Sequence, residues 1–355
     1  MNDLMKRIKA SGAIKTAEVL NKSILFNEKD IIPTDIPILN VALSGKLTGG
    51  LTPGLTFLAG PSRHFKSLLG LIMVKTFMDY YEDSICLFYD TEFGVTPDYI
   101  KSNGIDTERV LHIPVEHLEQ LKFDIAKRLE EMKRTDKVVI FIDSVGNLAS
   151  KKEYEDALEE KSVADMTRAK VMKSLWRIVT PHLITKDIPC IAVNHTYDTQ
   201  EMFSRKIMSG GTGGMYSANQ VFIIGKAQEK EGSEVVGWNF ILNVEKSRFV
   251  KEKSRLPITV TYDGGVNKWS GLLEIALENG TVIKPNNGWY SRVNLDTGEV
   301  EGKKWRLKDT NSDEFWNDII THPVFGKKIE KTFLVSNTSL MQDEDIDAEM
   351  SNETV

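Results

Sequence analysis

Apolar residues in this chain fall into short uninterrupted runs separated by stretches with helical spacing. Leu55 to Ala59, Ile85 to Tyr89, Val110 to Ile113, Val138 to Ile142 and Ile191 to Asn194 are short, largely apolar runs of strand length. Between them, Lys66 onward (Leu68, Leu69, Leu71, Ile72, Val74), Pro97 to Asn103, Leu118 to Lys133 and a long stretch within Val163 to Lys186 carry helical patterns. Regular alternation of strand and helix predicts an α/β protein with a mostly parallel sheet and helices on both faces.

The two ends read differently. Residues 1 to 23 suggest one or two amphipathic helices, followed by a short strand at Ser23 to Asn27, so residues 1–30 form an arm ahead of the main domain. A short helix at Ile36 to Leu43 and a Gly-rich turn, Gly49 to Gly54, lead into the first strand. After Tyr216 the pattern changes to Val221–Ile224, Gly237–Lys246 and Leu256–Tyr262, read as antiparallel strands closing the sheet of a core that spans 31–270. A small α+β domain at 271–335 follows, with a helix at Leu272 to Glu278, a hairpin about Gly288-Trp289-Tyr290 and a segment at Trp305 to Lys308.

Charge changes this picture at one place. The net charge is −6, yet Ser336 to Val355 hold six acids and no Lys or Arg. Taking those six from the 51 acids leaves 45, equal to the 45 bases, so an acidic tail at 336–355 accounts for the whole imbalance. With 41% hydrophobic and 27% charged residues the composition is globular, and no apolar run reaches the roughly 20 residues of a membrane span. Met1 to Lys9 is charged with no apolar stretch after it, which predicts no signal peptide. Cys86 and Cys190 both fall in predicted buried strands, so they read as core residues of a protein kept in a reducing cytoplasm.

Candidate chemistry gathers at strand ends. Gly60-Pro61-Ser62-Arg63-His64-Phe65-Lys66-Ser67 follows the first strand and opens a helix, which is where a phosphate-binding loop sits. Loop N–H groups and the helix N-terminus would face phosphate oxygens, Lys66 would add charge and Ser67 would ligate Mg²⁺. Phe65 stands where that pattern has its second glycine, and an ordinary strand-to-helix turn is the plainer reading of the stretch. Asp143 ends an apolar strand, the position of an acid that holds Mg²⁺ through water. Glu92 ends another and could orient or deprotonate water. His195 ends a third, where a satisfied structural histidine is the commoner case. Thr196 to Tyr216 has Met202, Phe203, Arg205 and Lys206 ahead of Gly210-Gly211, a long segment read as lacking regular structure. Cations and apolar side chains on a glycine-hinged loop suit single-stranded nucleic acid. Ser150 to Lys161, with Lys151, Lys152 and Lys161, reads by itself as a solvated helix face.

Taken together, Ile38 to Gly54, Gly60 to Ser67, Phe88 to Pro97, Phe141 to Leu148 and Asn194 to Tyr197 resemble the core of the RecA family of recombinases, nearest to those of T-even phages. That resemblance covers nearly the whole chain, and Phe65 in the loop is shared with the phage members. It implies ATP and Mg²⁺ as cofactors, with Gly60 to Ser67 on the phosphates, Ser67 and Asp143 at the metal and Glu92 as general base. His195 stands where other members place a glutamine that senses the γ-phosphate, and Tyr99 matches the tyrosine that packs on adenine. Ser150–Lys161 and Thr196–Tyr216 take the positions of two DNA-binding loops. Lys246 and Arg248 match a basic pair that reaches a neighbouring protomer's γ-phosphate, and residues 1–30 match an arm that docks on the next subunit. The implied activity is ATP-dependent pairing and exchange of DNA strands on a helical filament. Its implied partners are single-stranded DNA, homologous duplex, further copies of the chain, and a phage single-strand-binding protein and mediator in the host cytoplasm. A replicative helicase on the same core, or a mediator that binds ATP and DNA without turnover, are the alternatives. The short arm speaks against the first, and the intact Lys66 and Glu92 against the second.

Overall fold

The computed structural model describes residues 2–14, 16–23, 25, 30–159, 167–199 and 205–335. Apart from Ser23 and Leu25, the strand expected at Ser23 to Asn27 lies outside them, as does the acidic tail. A helix α1 (Asp3–Ser11), capped by Asn2, buries none of its residues. A second helix, α2 (Pro37–Ser44), is buried throughout.

The main sheet is built from apolar strands. In chain order β1 (Gly54–Ala59), helix α3 (Lys66–Tyr80), β2 (Ile85–Asp90), α4 (Pro97–Ser102), β3 (Val110–Pro114), α5 (Leu118–Glu131) and β4 (Val138–Asp143) alternate. After them come α6 (Lys151–Leu158), α7 (Thr167–Thr185) and β5 (Pro189–Asn194). A small hairpin of β6 (Thr196–Asp198) and β7 (Lys206–Met208) and a short helix α8 (Thr212–Ser217) lead to β8 (Gln220–Glu231), β9 (Glu234–Ser247), β10 (Arg255–Thr261) and β11 (Gly265–Val266). Nine strands pair in the order β11-β10-β9-β8-β1-β5-β4-β2-β3.

Every residue of β1, β4 and β5 is buried, because strands in the middle of a parallel sheet have helices over both faces. Alternation divides their side chains between two cores. Val139, Phe141, Ile191 and Val193 join α2 and α3 on one face. Val138, Ile140, Ile142, Cys190 and Ala192 join α5 and α7 on the other.

The expectation for the last strands needs one correction. β8 runs parallel to β1 and antiparallel to β9, so it belongs to both halves of the sheet, and only β9, β10 and β11 form the antiparallel edge. Within Thr196–Tyr216, expected to lack regular structure, the described residues form the β6–β7 pair and most of α8.

Beyond β11, helix α9 (Leu272–Glu278), the hairpin β12 (Val282–Asn286) and β13 (Trp289–Arg292), and β14 (Trp305–Arg306) precede two helices not expected from the sequence, α10 (Asp313–Thr321) and α11 (Pro323–Phe333). Trp269, Trp305, Phe315 and Trp316 pack edge to face and face to face, and they belong to the same apolar core as α2 and α3. Phe249 and Lys251 then exchange backbone hydrogen bonds with Phe333 and Val335, fastening the segment after α11 to the core.

Candidate functional site

A cleft of about 360 Å³ lies at the carboxyl ends of β2, β4 and β5, the usual ligand position of an open α/β sheet. It is lined by Ser62, Arg63, His64, Phe65, Lys66, Ser67, Glu92, Tyr99, Asp143 and His195, and Gly60 and Pro61 begin the loop that forms its floor. Thus the residues predicted from five separate stretches meet in one place. Leu68, Val193 and Phe240 line it too, and no local pattern in the chain marks Phe240, which arrives from β9.

The loop turns sharply before α3. Arg63 and Phe65 take φ of 59° and 62°, the left-handed region that costs a side-chain-bearing residue about 1–2 kcal/mol. Phe65 is held there by stacking on Phe240, with 4.8 Å between ring centroids and 14° between planes. Its bulk is therefore absorbed by β9. Lys66 is buried and donates from Nζ to the Pro61 carbonyl at 2.7 Å, tying the first turn of the helix back to the start of the loop. Burial lowers the Lys66 pKa from its ordinary value, while the charges of Glu92 and Asp143 act to raise it.

Asp143 ends β4 at 3% exposure. Burial is the main cause that pushes its carboxyl up to about 6; Ser67 opposes this through a hydrogen bond, and the charges of Glu92 and Asp90 add to it. Its Oδ1 is buried with no hydrogen-bond partner among the described residues. A hard cation or its water would satisfy that oxygen, so Asp143 and Ser67 fit the donor set of Mg²⁺.

Glu92 is placed by the end of β2. Asp90 Oδ1 accepts from the N–H groups of Glu92 and Phe93 at 3.1 and 2.8 Å, and its Oδ2 is 3.1 Å from His112 Nε2, which fixes the turn. Glu92 Oε1 accepts from Ser144 Oγ at 2.7 Å and Asn147 Nδ2 at 2.9 Å, and His195 Nε2 lies 3.3 Å away. The peptide bond between Asp143 and Ser144 is cis.

The expected DNA-binding residues lie outside this cleft. Ser150 Oγ caps α6 by accepting from Glu153 N, Lys151 pairs with Glu155, and Lys152 is exposed. Lys206 pairs with Asp198 across the β6–β7 hairpin, next to Arg205, and Gly210 and Gly211 turn the chain into α8 with φ of 91° and 77°. Lys161, Met202 and Phe203 lie outside the described residues. The structure adds a basic stripe to these: Lys170, Lys173 and Arg177 border a shallow groove of about 530 Å³ on α7 and have no ion pair among the described residues. Their spacing on a predicted helix is the sequence signal for it.

Lys246 donates from Nζ to the Met215 and Tyr216 carbonyls, both at 2.9 Å, and so caps the carboxyl end of α8. Burial first, and then the charge of Arg248, lowers its pKa. Arg248 is exposed just past the end of β9, and neither residue lines the cleft of its own chain.

A phosphate-type loop after β1, an acid at the end of β4 with β5 between them, and a second acid just past β2 on a mostly parallel sheet define a nucleotide-binding protein of the phosphate-loop class. Residues 24–267 match the model of the RecA N-terminal domain, and 269–329 match that described as the C-terminal domain of the bacteriophage T4 recombination and repair protein. The chain belongs to the RecA family of recombinases. It is 59% identical to the recombination and repair protein of Enterobacteria phage T4 over 94% of this chain and 86% of that one. It is 27% identical to protein RecA of Tropheryma whipplei, over 82% of this chain and 66% of that one, and 26% identical to protein RecA of Cutibacterium acnes over 82% of each. Membership implies in general terms a DNA-binding, self-associating protein that uses ATP with Mg²⁺.

Proposed function

We propose that the chain assembles as a helical filament on single-stranded DNA and hydrolyses ATP while pairing that strand with homologous duplex. The observation that carries this reading is the convergence of Lys66, Ser67, Asp143 and Glu92 in one cleft, with the buried Asp143 oxygen lacking a partner among the described residues. Lys66 and the loop N–H groups would hold the phosphates, and Ser67 and Asp143 the metal. Bound Mg²⁺ supplies charge neutralisation of the phosphates. Glu92 would take a proton from water, and His195, touching Glu92, would link that carboxylate to the β6–β7 hairpin. Tyr99, 41% exposed beside the loop, is offered to the adenine face.

DNA would lie across α6, the β6–β7 hairpin and the stripe on α7, whose cations have the backbone-tracking character of single-strand binders. On assembly Lys246 and Arg248 would reach the phosphates of the next protomer, and residues 1–30, with exposed Leu4, Met5 and Ile8, would dock on it. We divide the chain into that arm, a core at 31–270, a small domain at 271–335 and the tail, and place its work in the host cytoplasm beside a single-strand-binding protein and a mediator. Among the described residues no helix is long and apolar enough to cross a membrane.

Phosphate release with and without single-stranded DNA tests the reading. Lys66→Ala should lose DNA-stimulated turnover, and Glu92→Gln should bind ATP and assemble while turning over at least about 100-fold more slowly. Ordinary turnover by either variant would remove its assigned role.

A further inference from the structure

Glu92 follows the end of β2 in a turn, and its side chain is 38% exposed, yet one of its oxygens is tied down on several sides. Ser144 Oγ, Asn147 Nδ2 and His195 Nε2 all meet Oε1, at 2.7, 2.9 and 3.3 Å. Oε2 has no hydrogen-bond partner among the described residues. Ser144 is itself fixed, since its N–H donates to Thr91 Oγ1 and its carbonyl accepts from the same hydroxyl. Asn147 is a different case, because it is exposed and no core packing requires it.

What places Asn147 is a guanidinium. Arg168, in the first turn of α7, donates from Nε to the Leu148 carbonyl and from Nη2 to the Gly146 carbonyl, each at 2.8 Å. Those are the residues on either side of Asn147, so the planar fork grips the turn as one unit. Gly146 lets that turn seat against the end of β5, since a Cβ there would come within 2.6 Å of the His195 ring and 2.9 Å of its backbone nitrogen.

We propose that Asn147 and Arg168 are positioning residues for hydrolysis: Arg168 fixes the turn, and Asn147, through it, fixes Glu92 by Oε1 so that Oε2 meets water. This rests on Glu92 being the general base. In that step a water proton passes to Oε2 as the water oxygen bonds to the terminal phosphorus and the bond from that phosphorus to the ADP oxygen breaks. An oxygen already accepting several donors is the poorer base, so loading Oε1 assigns the proton to Oε2. A glutamate left free would spread over several rotamers and meet the water in only some of them.

The test is steady-state ATP hydrolysis by the full chain with Mg²⁺ and single-stranded DNA, alongside ATP-analogue binding and thermal unfolding. Asn147→Ala should lower kcat about 10- to 100-fold, the range for a hydrogen bond to a charged group, with KM unchanged. Asn147→Asp keeps the shape but sets a like charge beside Glu92, and should fall below the alanine variant. A side chain that merely filled the turn would give the reverse order. Arg168→Lys, which cannot fork across two carbonyls, should lower kcat in the parent chain and add nothing in the Asn147→Ala background. Unchanged kcat in Asn147→Ala, a parallel rise in KM, or independent losses from the two sites would overturn the proposal. Should Asn147→Ala melt early, Asn147→Ser replaces it, and activity below that of Asn147→Asp would count against the proposal equally. Glu92→Gln separates the two readings. Normal turnover there removes the general base itself, whereas its loss alongside normal turnover in Asn147→Ala removes only the positioning.

Discussion

Asp143 carries the largest electrostatic cost in the cleft. Its carboxyl is shifted from 3.8 to about 6, so the folded state holds that proton more tightly than the unfolded chain does. This contribution therefore favours the free protein at low pH and is lost as pH rises through about 6, on the order of 3 kcal/mol in all. Asp143→Asn should accordingly melt a few degrees higher than the parent at pH 7.5 without nucleotide, and should lose the stabilisation that Mg²⁺ with ATP gives the parent. A lower melting temperature for the free variant would show that Asp143 is a structural acid and not one poised for a cation. Lys66, Ser67, Glu92 and Asp143 are legible in the sequence because each ends or closely follows a strand or begins a helix, where a side chain's neighbourhood follows from local order. Asn147, Arg168 and Phe240 are not, because their partners are 55, 20 to 22 and 175 residues away and are chosen by the fold.

Among elements, α3 shows how a strand-to-helix motif depends on what lies beneath it. Gly70 is buried in α3, and a Cβ there would come within 2.4 Å of the Phe141 ring on β4. Helix propensity alone predicts that Gly70→Ala gains about 1 kcal/mol. Overpacking costs about 1–3 kcal/mol and should win, lowering the melting temperature and weakening ATP binding as α3 shifts Lys66 and Ser67 away from Asp143. A more stable Gly70→Ala variant would mean that the helix and sheet can separate without strain. The parallel strands are readable from their apolar runs. α10 and α11 are harder to see although Phe315, Trp316 and Ile319, and then Phe325, Ile329 and Phe333, have helical spacing, because each short helix buries only those three residues. The β6–β7 hairpin is hidden because its two short strands are each three residues long and polar in part.

For the molecule as a whole, the distribution of charge matters more than its sum. The proposed DNA path joins the stripe on α7 to the β6–β7 hairpin, and every side chain that no longer neutralises a phosphate should take about 0.7 from the log–log salt slope of single-strand binding. Lys170, Lys173 and Arg177 changed together to alanine should flatten that slope by about 2, measured by fluorescence anisotropy on an oligothymidine. An unchanged slope would take α7 off the path.

Strand exchange itself tests the account most directly. Circular single-stranded DNA, coated with the protein in ATP and Mg²⁺, is mixed with linear duplex, and joint molecules are resolved by gel. The account predicts joint molecules with homologous duplex, none with heterologous duplex, and none when ATP is omitted. Strand separation that ignores homology, or an absence of joint molecules from protein that coats the single strand and hydrolyses ATP, would contradict it.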